Sequence, residues 1–114
     1  MTNYAIVVGV KGLALSKKEE DYLKRYQPLG VILFKRNIST KNQVIALVKE
    51  IKNILGFSAM IMIDQEGGRV SRLSNLIESS LFTSEYFGKL YKYNKNKFAN
   101  YYKVYIDQVA YLLN

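Results

Sequence analysis

Histidine and cysteine are both missing from this 114-residue chain. Without cysteine no disulfide can form, which accords with a reducing compartment. Without histidine the chain lacks the most frequent general base and the commonest metal ligand. Any catalysis by it would fall to carboxylates, lysine, tyrosine or serine. Proline is nearly as scarce, with Pro28 alone. No stretch approaches the ~20 apolar residues of a membrane-spanning helix. The apolar run at residues 4–10 has no positive charge before it, so it reads as a strand and not as a signal peptide. The expectation is a cytoplasmic protein with no membrane partner.

Acidic residues are also few. Nine Asp and Glu stand against 17 Lys and Arg, a net charge of +8. Such a balance can mark a nucleic-acid partner. Here the lysines are scattered from Lys11 to Lys103, with only small clusters at residues 17–18 and 92–97. A nucleic-acid footprint needs its charge gathered on one face, so a solvated basic surface is the favoured reading. Apolar residues make up 49% and charged residues 23%, an ordinary globular composition. The length allows one domain at most. A chain of this size buries roughly 65% of its unfolded surface, which leaves a core of limited extent.

What is present alternates. Residues 4–10 form a short β-branched apolar run and read as a first strand. Ser16 with Glu19 three residues later forms a capping box, so a helix begins there and ends before Pro28. "GVILF", residues 30–34, is an unbroken apolar run of the kind found in strands buried on both faces. Thr40 with Gln43 is a second capping box. Val44, Leu47, Val48, Ile51, Ile54 and Leu55 follow at helical spacing, and Gly56 stands where a C-terminal cap belongs. "AMIMI", residues 59–63, is another unbroken strand. The order β-α-β-α-β with buried strands indicates a parallel α/β architecture. Beyond residue 73 the pattern blurs, with one short helix expected near residues 84–91. Phe98, Tyr101, Tyr102, Tyr105, Ile106, Val109, Leu112 and Leu113 then share a helical face, read as an aromatic stripe packed into a core.

The chemistry concentrates in "IMIDQEGGRVSRL", residues 61–73. An apolar strand stops at Asp64. Glu66, the glycine pair Gly67–Gly68, and Arg69 and Arg72 follow. In parallel α/β folds functional groups gather beyond the carboxyl ends of the strands. Lys35, Arg36 and Asn37 follow the second strand in the same way, so neighbouring parallel strands would put both groups on one rim. A carboxylate accepts from two sugar hydroxyls, and a guanidinium donates in a planar fork. Glycine lets the backbone approach closely or adopt positive φ. The plainer alternative is an internal ion pair, Asp64 or Glu66 with Arg69, tying down a tight loop. A phosphate loop fits poorly, because the G-x-x-x-x-G-K pattern is absent and the acids would repel a phosphate.

"GVILFKRNI" followed about 30 residues later by "IDQEGGRVSRL" resembles the N-terminal part of family 3 glycoside hydrolases. The similarity is greatest to the cytoplasmic bacterial β-N-acetylhexosaminidases that recycle cell-wall muropeptides, and it spans residues 4–73. The resemblance implies a (β/α)8 barrel with no metal or organic cofactor. It implies that Asp64 binds a hydroxyl of an N-acetylglucosamine ring and that Arg72 also contacts the sugar. Glu66, Gly67, Gly68 and Arg69 would support the loop. Arg36 and Asn37 match the rim after the second strand, where a structural polar cluster is the ordinary alternative. It further implies a retaining, double-displacement mechanism through a covalent glycosyl-enzyme. The family's nucleophile is an Asp late in the barrel, and its acid/base is a His in a K-H-F-P-G-H-G-type loop. Neither has a counterpart among these residues.

A complete eightfold barrel needs about 250 residues. Residues 1–114 are therefore expected to be an N-terminal fragment of a family 3 barrel domain, holding about three βα units. The fragment would bind an N-acetylglucosamine-containing saccharide, be inactive alone, and have a companion chain carrying the rest of the barrel as a possible partner. Two alternatives are a sugar-binding module without chemistry and a basic nucleic-acid-binding domain. The last would show affinity for oligonucleotides that falls steeply with salt.

Overall fold

Locally specified starts and stops account for most of the helix boundaries. The computed structural model describes residues 4–68 and 70–113. It divides into two compact units, one running up to Asp64 and the other from Gln65 onward.

In the first unit, strand β1 (Tyr4–Gly9) leads through a loop to helix α1 (Lys17–Tyr26). The Ser16 hydroxyl accepts from the Glu19 amide, and the Glu19 carboxylate accepts from the Ser16 amide at 2.8 Å, which completes the capping box. Helix α1 stops at Gln27, which takes a left-handed conformation (φ 43°) and donates its amide to the Leu23 carbonyl. Pro28 then opens strand β2 (Pro28–Leu33), a first-residue position where a missing N–H is tolerated. A 3-10 turn (Lys35–Asn37) connects to helix α2 (Lys41–Leu55). Gly56 (φ 93°) ends α2, and strand β3 (Met60–Ile63) follows. The three strands form one sheet in the order β1-β2-β3. Both pairings are parallel, with Val8 opposite Val31 and Val31 opposite Ile61.

The core follows the sequence pattern closely. Leu47, Ile51 and Leu55 of α2, at successive intervals of four, are buried with Leu23 of α1 and with Val31 and Leu33 of β2. Val44, Val48 and Ile54 pack around them. Each such fully buried aliphatic side chain contributes roughly 1.5–3 kcal/mol. Gly30 is required where β2 meets β3. A Cβ there would lie 2.1 Å from the Met60 carbonyl oxygen.

Two sequence expectations are corrected in this unit. "AMIMI" is not buried on both faces: Met60 is exposed and the remaining residues of β3 are half-buried. An edge strand has one hydrogen-bonded neighbour, so its flank stays open however apolar its sequence. The Thr40–Gln43 capping box is only half made. Thr40 accepts from the Gln43 amide, but the Gln43 side chain accepts from the Ser39 amide (2.8 Å) and donates to the Leu13 (2.7 Å) and Asn37 carbonyls. Those two carbonyls offer the amide NH₂ partners that a reciprocal cap could not.

The second unit contains the loop after β3, then helices α3 (Ser84–Tyr93) and α4 (Lys95–Leu113). Helix α3 begins at Thr83, whose hydroxyl accepts from the Tyr86 amide. It extends two residues past the expected stop. Phe87 is the buried centre of an aromatic cluster with Phe82, Tyr86, Phe98, Tyr102 and Tyr105, at ring distances of 5.0–6.3 Å. The stripe on α4 packs only in part as expected. Phe98, Tyr105, Val109 and Leu112 are half-buried, whereas Tyr101, Tyr102 and Ile106 are exposed. Helical period fixes which residues share a face, and α3 is too narrow to cover a stripe that wide. The Leu113 side chain lies outside the described residues.

Candidate functional site

The carboxyl ends of the three parallel strands share one rim of the first unit, and they carry Val10, the 34–37 segment and Asp64. Asn37 stands at its centre and is fully buried. Its Oδ1 accepts from the Phe34 amide at 2.9 Å. Its Nδ2 donates to the Val10 (3.0 Å) and Gly12 (2.8 Å) carbonyls. An asparagine side chain can make four hydrogen bonds, and three are committed to backbone here. Arg36 is exposed. Its Nε donates to the same Val10 carbonyl at 3.1 Å, and its guanidinium lies 4.7 Å from the centre of the Phe34 ring. Gly9 makes room for this arrangement, since a Cβ there would sit 3.3 Å from an Arg36 nitrogen. The structure thus brings Arg36 and Asn37 together, and Asn37 acts as an internal brace and not as an outward-facing ligand group. Asp64, the last residue of this unit, is exposed immediately past β3.

The loop of the second unit is built around two glycines. Gly67 (φ 78°) and Gly68 (φ 61°) are both buried and both left-handed, a conformation costing other L-residues about 1–2 kcal/mol each. A Cβ on Gly67 would lie 2.9 Å from the Tyr105 hydroxyl, and one on Gly68 would lie 2.7 Å from the Thr83 methyl. Gly67 and Val70 form a single antiparallel bridge that closes the turn. Glu66 is exposed and makes no hydrogen bond to another described residue. Arg69, expected to support the loop, lies outside the described residues. Arg72 is half-buried, and the adjoining Leu73 is fully buried. Among the described residues no three His, Cys, Asp or Glu side chains gather closely enough to hold a metal ion.

Sequence reasoning passed over the residue that holds this loop together. Gln65 Oε1 accepts from the amides of Arg72 (2.9 Å) and Leu73 (3.3 Å), and Nε2 donates to the Ser71 hydroxyl (3.1 Å). Ser71 in turn meets the buried Ser79 hydroxyl at 3.2 Å, and the Ser79 carbonyl accepts from the Gly68 amide. The available signal was an uncharged amide between two acids, immediately before a glycine pair. A single side chain with both donor and acceptor can bridge such a turn.

No family model matches the chain. A beta-hexosaminidase of Xanthomonas campestris is 40% identical over 75% of this chain and 26% of its own length. Among solved structures, NagZ of Neisseria gonorrhoeae in complex with N-trifluoroacetyl-D-glucosamine aligns with a TM-score of 0.57 and 31% identity. It covers 61% of this chain and 21% of its own. A glycoside hydrolase family 3 beta-N-acetylglucosaminidase from a Paenibacillus species aligns with the same TM-score of 0.57 at 34% identity, over 64% of this chain and 15% of its own. The chain therefore spans about a quarter of the length of the curated relative it matches. By sequence and by fold it is a relative of the β-hexosaminidases of glycoside hydrolase family 3 and corresponds to their N-terminal portion.

Proposed function

We propose that the chain is the sugar-binding, N-terminal part of a retaining β-N-acetylhexosaminidase that removes terminal N-acetylglucosamine from cell-wall muropeptides in the cytoplasm. In this reading its three-stranded parallel sheet is the first part of a (β/α)8 barrel. Asp64 accepts from a ring hydroxyl of N-acetylglucosamine, and Arg72 donates to the same sugar. Glu66, Gly67, Gly68 and Arg69 maintain the loop, while Arg36 and Asn37 brace the rim. The acid/base and the nucleophile come from polypeptide other than these 114 residues, so the chain alone binds sugar without cleaving it.

The observation that carries this reading is the placement of an exposed carboxylate. Asp64 follows the third parallel strand directly and opens a D-Q-E-G-G-R motif whose glycines are both left-handed. Ligands of parallel α/β proteins bind at that end of the strands. The complex of the gonococcal relative with an N-acylated glucosamine points to the same class of ligand.

Chemical-shift titration of the 114-residue protein with N-acetylglucosamine tests it. Saturable shifts are expected. Asp64→Ala should weaken binding by about 10- to 100-fold, the effect of removing one hydrogen bond to a charged group. An aryl N-acetylglucosaminide should not be turned over. Absence of any wild-type shift, or steady hydrolysis by the pure chain, would overturn the proposal.

A further inference from the structure

We infer that Gln65 is a positioning residue for the sugar contact made by Arg72, an inference that rests on the function proposed above. Gln65 acts without touching the sugar. It sets where the Arg72 main chain sits, and so where the guanidinium begins.

The geometry is specific. Gln65 and Arg72 lie on opposite sides of the Gly67–Val70 bridge. That turn contains two left-handed glycines, which are the residues least able to hold a conformation by their own steric limits. Something must fix the returning strand. The Gln65 side chain does so through both of its polar atoms. Oε1 receives two consecutive amides, from Arg72 and Leu73, and Nε2 reaches the Ser71 hydroxyl. Three neighbouring residues are thereby tied to one side chain six to eight positions earlier. Two N–H donors on one atom require that atom to be the oxygen, so the amide has a single orientation here. The clamp is anchored further. Ser71 contacts the buried Ser79 hydroxyl, the Leu73 side chain is buried, and the Leu73 carbonyl accepts from the amides of Leu76 and Ile77. Arg72 thus lies between two fixed neighbours. A long, flexible side chain gains most from such fixing, because the entropy lost on binding falls when its starting point is held.

Two substitutions separate the clamp from general loop stability. Gln65→Leu preserves the approximate volume and removes all three bonds. Gln65→Glu keeps the oxygen that receives both amides, and its second oxygen can accept from the Ser71 hydroxyl. Each protein is assigned by amide NMR, measured without sugar, and then titrated with N-acetylglucosamine. For Gln65→Leu the Arg72 and Leu73 amides should move upfield and exchange faster, with the Val31 and Leu33 amides of β2 unchanged. Its affinity for the sugar should fall about tenfold, the effect of losing the placement made by one or two hydrogen bonds. Gln65→Glu should retain both amide signals and bind within about twofold of wild type.

Wild-type affinity in Gln65→Leu with displaced amides would overturn the positioning role. So would unmoved Arg72 and Leu73 amides in that variant. If Gln65→Leu does not fold, Gln65→Glu decides the matter: a tenfold loss despite intact folding refutes placement through the oxygen. If the wild-type chain binds no sugar, the proposed function fails, and the clamp is then judged on the amide signals alone.

Discussion

Replacing Asn37 should unfasten the rim of the sheet, and the size of the effect follows from its three bonds. In Asn37→Ala the Phe34 amide loses its acceptor at 2.9 Å, and the carbonyls of Val10 and Gly12 lose donors at 3.0 and 2.8 Å. Each lost bond costs about 1 kcal/mol net, and a buried group left without a partner costs about 1–3 kcal/mol. The losses are unequal. The Val10 carbonyl keeps the Arg36 Nε at 3.1 Å, and the half-buried Gly12 carbonyl can be hydrated. Most of the cost therefore sits on the Phe34 amide, and the total comes to about 3 kcal/mol. That is a large part of the stability of any small domain.

Asn37→Asp sharpens the test. It keeps the acceptor for Phe34 but turns a carboxylate oxygen toward two carbonyls. At neutral pH it should be at least as destabilising as alanine. The buried carboxyl would have a raised pKa in the folded state, so the folded protein would bind more protons than the unfolded one. Stability of this variant should therefore fall as pH rises above the ordinary aspartate value of about 3.9. Urea unfolding followed by circular dichroism gives the free-energy difference, and amide exchange at Val31 and Leu33 reports on this unit alone. An alanine variant within about 0.5 kcal/mol of wild type would refute the account, since that is the range of an inconsequential surface change. An aspartate variant more stable than alanine at pH 7 would refute it equally.

Gly30→Ala should be the most damaging single methyl in the sheet. Its Cβ would meet a backbone oxygen at 2.1 Å, and neither strand can yield without breaking the β2–β3 ladder. A loss above about 3 kcal/mol is expected, beyond the usual 1–3 kcal/mol of overpacking, and a wild-type urea midpoint would contradict it. Gly67→Ala combines a φ of 78° with approaches of 2.9 Å to the Tyr105 hydroxyl and 3.0 Å to the Phe82 carbonyl. It should destabilise the loop by about 2–3 kcal/mol, read as faster exchange of the Arg72 and Leu73 amides. Glu19 makes the stability acid-sensitive. Burial pushes its carboxyl up, but hydrogen bonds from the Ser16 hydroxyl, the Ser16 amide and the Lys11 amide outweigh this and hold it below the ordinary glutamate value. Its contribution is present at neutral pH and is lost as pH falls through the lowered value. Glu19→Gln should flatten the decline of the urea midpoint between about pH 5 and pH 2, and an unchanged slope would count against the assignment.

The parts of this protein that could be read from its sequence are those whose causes are local. The interval of four between Leu47, Ile51 and Leu55 and the Ser16–Glu19 box act within one or two helical turns, and both are found as expected. The rim was legible only as a possibility, because two of the three partners of Asn37 lie 25 and 27 residues away. The α4 stripe was legible as a face, but its covering depends on what packs against it. A further regularity emerges only from the folded chain. Neutral amides do much of the holding: Asn37 at the rim, Gln43 at the start of α2 and Gln65 in the glycine loop. An uncharged amide supplies both a donor and an acceptor, and it is far easier to bury than a carboxylate or a guanidinium. The Glu19 and Glu50 carboxylates, by contrast, accept the Lys11 and Leu15 amides where the bond is exposed.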